Sequence, residues 1–300
     1  MNIFFHRLFL AVLIAANLCW TGCTTVPETG RRALSLFSDR ELAEAATTSF
    51  REMKRTVKVS RSARLNGRLE RVGSRIVQSA LERGTRLPPP YQWEFVVFDD
   101  EQVNAFAMPG GKVGFYTGII RLFDSDDEMA VVMGHEVAHV AAKHGNERLS
   151  TQSAIALGGT ALNLATQDQD QQTRTAILTA FGLGAQFGIS LPFSRRDESE
   201  ADEIGLIYMA NAGYDPRAAI TFWQKMAATK GQQPPEFLST HPSDSARIHR
   251  LKTLMPKAMK IYNFKTNERA SLGPVHTSVE GWLAISRIRN FELVGIPTKK

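Results

Sequence analysis

The chain has 300 residues, 43% of them apolar and 22% charged, ordinary values for a globular protein of one sizeable domain or two small ones. The net charge is +6, yet the basic residues are scattered, as in Arg31-Arg32, Arg195-Arg196 and Lys299-Lys300. Without a long basic block, nucleic acid is excluded as the expected partner, and a solvated surface mildly attracted to anionic lipid heads is expected instead.

Met1 to Arg7 carry one fixed positive charge and Leu8 to Trp20 are almost entirely apolar. This order reads as an export signal over residues 1–22, since the run is shorter than the roughly 20 apolar residues that span a bilayer. It ends Trp20-Thr21-Gly22-Cys23, and a Thr-Gly-Cys ending resembles a bacterial lipoprotein signal with Cys23 as the lipidated residue. Cys19 lies within the signal, so no intramolecular disulfide is expected of the mature chain. Thr24 after Cys23 favours, by the same analogy, a periplasmic protein anchored by lipid to the outer membrane.

Residues 23–37, with Pro, Gly and Arg, read as a tether. Ser38-Asp39 offers an N-cap for a helix through about Val59. A second helix is expected over about Ala63–Arg83, with Leu65, Leu69, Val72, Ile76 and Leu81 at helical spacing. Three β-like runs follow, Trp93–Phe98, Val103–Met108 and Lys112–Tyr116, with Pro109-Gly110-Gly111 as a hairpin turn between the last two. From Asp126 to Met255 the pattern is helical, broken by loops. Two apolar runs within it, Ala154–Ala165 and Ala176–Leu191, are too short to cross a membrane and are expected in the core, the alternative being a hairpin that lies against the membrane or lids the site. The domain is thus expected over 38–255, and residues 256–300 form an extension matching no known pattern.

The chemistry sits in His135-Glu136-Val137-Ala138-His139. Four residues along a helix turn about 400°, so the two histidines share a face and can reach one zinc ion. Glu136, turned about 100° from His135, can serve a metal-activated water without ligating the metal. His144, about 180° round from His135, is expected at the surface or at the helix end. A catalytic zinc takes three protein ligands and keeps one position open. The third must come from further along, and Ser194–Asp202 supplies candidates: Glu198 and Asp202 share a helical face, with Glu200 roughly opposite. Glu198 as ligand and Asp202 as the group orienting a histidine fit that spacing.

HEVAH followed by Glu198-Ser199-Glu200-Ala201-Asp202 resembles the zinc metallopeptidases of the HtpX and CAAX-prenyl-protease type, the gluzincins of metallopeptidase family forty-eight. Within them it is most like the exported BepA-like quality-control lipoproteins. The resemblance runs from about Cys23 to Met255 and includes Pro27-Glu28-Thr29-Gly30-Arg31-Arg32, Asn104–Gly111 and Ser239-Thr240-His241-Pro242-Ser243, with Arg247 shortly after. It implies an α+β fold, mostly helical and zincin-type, with one small sheet beside the active helix. It also implies one zinc on His135, His139 and Glu198, Glu136 as general base, and Asp202 as partner of His139. His241 would either steady the oxyanion or hold the resting enzyme off by taking the water's place. Arg247 would help shape the substrate site, and the strand at Asn104, Ala105, Phe106 and Ala107 would bind substrate backbone. The implied substrates are polypeptides, in particular misfolded or misassembled envelope proteins, and the implied partners are envelope assembly machinery. The rival expectation is a lipoprotein chaperone or assembly factor with a closed or inactive metal site.

Overall fold

Ser38 starts the first long helix with a reciprocal cap: its side chain accepts from Glu41 N–H, and the Glu41 carboxylate accepts from Ser38 N–H. In the computed structural model, which describes residues 22–88, 92–167, 170–179, 194–228, 236–241 and 245–271, this helix is α1 (Asp39–Thr56). The amphipathic α2 (Ala63–Glu82) follows and buries Leu69, Val72, Ile76, Val77 and Ala80. Both helices were legible from their caps and spacing.

All three expected strands form, as β3 (Glu94–Phe98), β4 (Ala105–Met108) and β5 (Lys112–Tyr116), preceded by a short ribbon of β1 (Cys23–Thr25) and β2 (Arg32–Leu34). The sheet order is β3-β5-β4, with β3 and β5 parallel and β4 and β5 antiparallel, Met108 pairing with Lys112. Gly110 and Gly111 turn the hairpin with φ of 75° and 76°, a region that favours glycine. β4 is therefore an edge strand.

The one-turn α3 (Thr117–Ile120) leads to α4 (Asp126–Ala141), whose residues are buried continuously from Glu128 to His139. Ser125 caps it, and three acidic residues in its first turn oppose the helix dipole. Then come α5 (His144–Ala165), a helical run at 171–179, α6 (Arg195–Asn211), α7 (Ala218–Ala228), α8 (Glu236–Thr240) and α9 (Ser245–Ser271). The fold is the expected one: mostly helical, with a small sheet beside the active helix.

α4 and α6 meet at two glycines. A Cβ on Gly205 would lie 2.7 Å from the Gly134 carbonyl carbon and 2.8 Å from His135 N, and one on Gly134 would lie 2.8 Å from the Gly205 oxygen. The helices thus touch backbone to backbone one residue from His135.

Three expectations need correction. Residues 23–37 are no free tether, because Val26 and Ala33 are buried in the main core and Glu28 accepts a 2.6 Å hydrogen bond from the Tyr208 hydroxyl. The run Ala154–Ala165 is not core: α5 buries only His144, Asn146, Ser150 and Ala165, and Leu157 and Leu164 are exposed. Of the second apolar run, residues 180–193 lie outside the described residues. Lastly, α9 continues through Pro256. Proline there has no N–H to give, but Met255, Ala258, Ile261 and Tyr262 pack against the core on either side and hold the helix together. No helix among the described residues is long and apolar enough to cross a membrane.

Replacing Gly205 by Ala is expected to cost about 1–3 kcal/mol, because the atoms it meets are backbone and cannot step aside. A lower urea midpoint with an unchanged slope is the expected reading.

Candidate metal centre

His135 and His139 leave α4 on one face, with their Nε2 atoms 3.1 Å apart. The close α4–α6 crossing sets Glu198 opposite them: its Oε1 is 3.4 Å from His139 Nε2, and its Oε2 is 3.4 Å from His135 Nε2. A fourth donor comes from the end of α8. His241 Nδ1 lies 3.1 Å from His135 Nε2 and 3.0 Å from Glu198 Oε1. The ligand atoms of all four residues fall within 4.8 Å of one another, and all four residues are buried.

Such a set fits a metal ion. Ligands about 2.1 Å from a tetrahedral ion stand about 3.4 Å apart, close to the 3.0–3.4 Å found here. Imidazole lone pairs facing one another and a carboxylate away from water are costly unless a cation lies between them. Burial works to raise the Glu198 carboxyl, but the charge of His135 and hydrogen bonding to the three histidines hold it well below the usual carboxylate range.

Glu136 lies beside this cluster, on the side of the sheet edge. Its Oε2 accepts from Ala107 N–H at 3.2 Å. Its Oε1 is buried without a hydrogen bond, 3.4 Å from His241 Nε2. Burial pushes this carboxyl above the usual range, against the pull of His241 and His135. A hollow of about 520 Å³ opens alongside, reaching His139, Ala107, Pro109 and Leu87.

Asp202 orients His135, not His139: its Oδ1 is 3.0 Å from His135 Nδ1. Sharing a face with Glu198 put it near the centre, but which imidazole it met depended on the α4–α6 crossing. Arg247 holds this carboxylate at 2.5 Å and Glu198 Oε2 at 3.2 Å. A role for Arg247 in touching substrate is corrected, because the residue is fully buried. Its guanidinium lies 3.3 Å from the centre of the Trp223 ring, which stacks on Phe237, which stacks on His241. Sequence reasoning missed Trp223 and Phe237, because in an apolar helical pattern they read as plain core.

His144 stands at a helix end, as one of its two expected placings had it, but not at the surface. It is only 1% exposed, and its Nδ1 is 2.8 Å from His139 Nδ1. Its Nε2 is 2.9 Å from Glu200 Oε2. Burial would raise the Glu200 carboxyl, but hydrogen bonds from His144, Thr29 and Arg31 bring it down to about 2. Of the expected substrate strand, Ala105, Phe106 and Ala107 lie in β4, with Asn104 just before it.

The sequence model of peptidase family M48 matches residues 63–255, the span from α2 into α9. The chain belongs to peptidase family M48. Among curated relatives it is 39% identical over 56% of its length to mitochondrial metalloendopeptidase OMA1 of Schizosaccharomyces pombe, covering 48% of that protein. It is 33% identical over 71% of its length to OMA1 of Saccharomyces cerevisiae, covering 62%. To the β-barrel assembly-enhancing protease of Yersinia pestis it is 31% identical over 74% of its length, covering 46%. The chain therefore spans about half the length of the curated relatives it matches. These findings overturn the expected periplasmic, outer-membrane address, since the mitochondrial enzymes match at higher identity than the bacterial one. A lipid at Cys23 draws no support from them, and the signal residues 1–21 lie outside the described residues. Cys23 itself is half-buried in β1.

If the donor set holds a metal, His135→Ala and Glu198→Ala should each weaken its binding strongly, because each removes a ligand from the helical pair that fixes the site and leaves His241 to take its place. Metal analysis of purified protein reads this out. Full metal retention in Glu198→Ala would show that another group is the third ligand.

Proposed function

We propose that the chain is a zinc metalloendopeptidase that cuts extended polypeptide, with His135, His139 and Glu198 as ligands of one zinc and Glu136 as general base. One observation carries the reading: a buried carboxylate oxygen, Glu136 Oε1, left without a hydrogen bond beside the donor cluster. That oxygen faces the cluster, 3.4 Å from His241 Nε2, where a metal-held water would come within its reach. Bound in this set, zinc would supply a Lewis acid that lowers the pKa of a water and polarises the scissile carbonyl. Glu136 would take the proton of that water as its oxygen attacks the carbonyl carbon. It would return the proton to the amine as the C–N bond breaks, with no covalent enzyme intermediate. The raised affinity of the Glu136 carboxyl for a proton suits both transfers.

Substrate backbone is proposed to add along β4. Tyr116 N–H bonds to Asn104, so alternate residues of β4 face β5. The N–H groups of Ala105 and Ala107 go instead to Asn104 Oδ1 and Glu136. That edge has no strand partner among the described residues and suits strand addition once these two side chains give way to substrate. Misfolded or misassembled polypeptides are the proposed substrates, and a protein-assembly machinery the proposed partner, a reading supported by the name of the Yersinia pestis relative.

His241 supplies the case for the rival reading, a chaperone with a closed metal site, because four protein donors leave no place for water. We read it as a plug on an active centre: its Nδ1 lies where the water would bind. Glu136→Gln is expected to keep zinc and lose casein cleavage, whereas a chaperone function would survive the change. His241→Ala is expected to raise casein turnover with zinc retained. A drop of about 10²–10³-fold would instead assign His241 to the oxyanion.

A further inference from the structure

The loop between β1 and β2 reaches 116 to 171 residues along the chain. Arg31 Nε donates to Glu200 Oε2 at 2.6 Å, and Thr29 Oγ1 donates to Glu200 Oε1. Arg31 also pairs with Glu147 at 2.8 Å, in the first turn of α5. The ribbon is held there by further bonds: Leu36 N–H to Ser150 Oγ at 2.8 Å, and Asn146 Nδ2 to Phe37 O at 2.7 Å. None of these contacts is used in the proposed chemistry.

Proton placement along the chain of contacts has one consistent solution. With Nε2 of His139 turned to the donor cluster, its proton sits on Nδ1 and is donated to His144 Nδ1. His144 then carries its own proton on Nε2 and donates it to the Glu200 carboxylate. That carboxylate accepts twice more, from Arg31 and Thr29. Each link, from His139 Nδ1–H, His144 Nε2–H, Arg31 Nε–H and Thr29 Oγ1–H, meets an acceptor.

We infer that the β1–β2 loop is a positioning element of the metal centre: Thr29 and Arg31 fix Glu200, Glu200 fixes His144, and His144 fixes the tautomer and aim of His139. The inference rests on the reading of His139 as a metal ligand. His135 has a shorter support, since Asp202 bonds its Nδ1 directly and Arg247 holds Asp202. His139 depends instead on residues from the far N-terminal side of the chain. Outer partners of this kind are worth about 10–100-fold in metal affinity.

The test uses the full chain, zinc affinity measured by competition with a chelator, and the visible spectrum of the cobalt-substituted protein. His144→Phe and Glu200→Gln should weaken zinc about 10–100-fold. His144→Gln should recover most of the loss, because its amide accepts and donates as the imidazole does. Since His144 is buried, the deciding variant is the double change Thr29→Val with Arg31→Met, at an exposed and a half-buried position. It should weaken zinc by about tenfold and shift the cobalt spectrum, with the metal-free melting temperature unchanged. Unchanged zinc affinity and an unchanged cobalt spectrum in this double variant overturn the inference. His135→Ala serves as control: if it retains full zinc, the reading of the metal site beneath the inference has failed instead.

Discussion

The backbone contact between Gly134 and Gly205 is the constraint on which the site depends. Each glycine costs its helix about 1 kcal/mol against alanine, and the return is an approach that no side chain allows. His135 follows Gly134 directly, and Asp202 lies three residues before Gly205. A methyl group at either glycine would part the helices by something on the order of an ångström, whereas metal–ligand distances tolerate about 0.2 Å. Packing and chemistry here rest on the same few atoms.

Around that contact the interior holds an unusual charge. Glu136, Glu198 and Asp202 are buried carboxylates against one buried guanidinium, Arg247, a surplus of acidic groups that suits a cation. Glu200 and Arg31 balance each other outside this group. Buried polar networks stabilise only when every member is satisfied. A cation in the cluster would satisfy donors that otherwise face one another.

How much was legible follows from which effects were local. The cap at Ser38, the hairpin glycines and the shared face of His135 and His139 depend on neighbours in sequence, and all were read correctly. The burial of His144 was missed because angular counting assumes an unbroken helix. α4 ends before Lys143, which adopts a left-handed φ of 57°, and His144 opens a new helix that turns it inward. The partner of Asp202 and the burial of Arg247 depend on how α4, α6 and α9 cross, which no local pattern encodes. The run Ala154–Ala165 is apolar enough for a core, but among the described residues few lie beside α5 beyond Ser150, and Leu157 and Leu164 are exposed.

The sealing of the four donors has a further consequence, one of rates. His135, His139, Glu198 and His241 are each no more than 4% exposed, so an ion could neither enter nor leave without one donor swinging aside. His241 stands at the end of a five-residue helix, whereas the other three lie on helices of 16 and 17 residues. It is the donor whose departure disturbs least. Metal exchange would then keep time with the opening of α8 rather than with the strength of the bonds to the ion. A chelator in large excess would strip the protein no faster than that one short helix lets go.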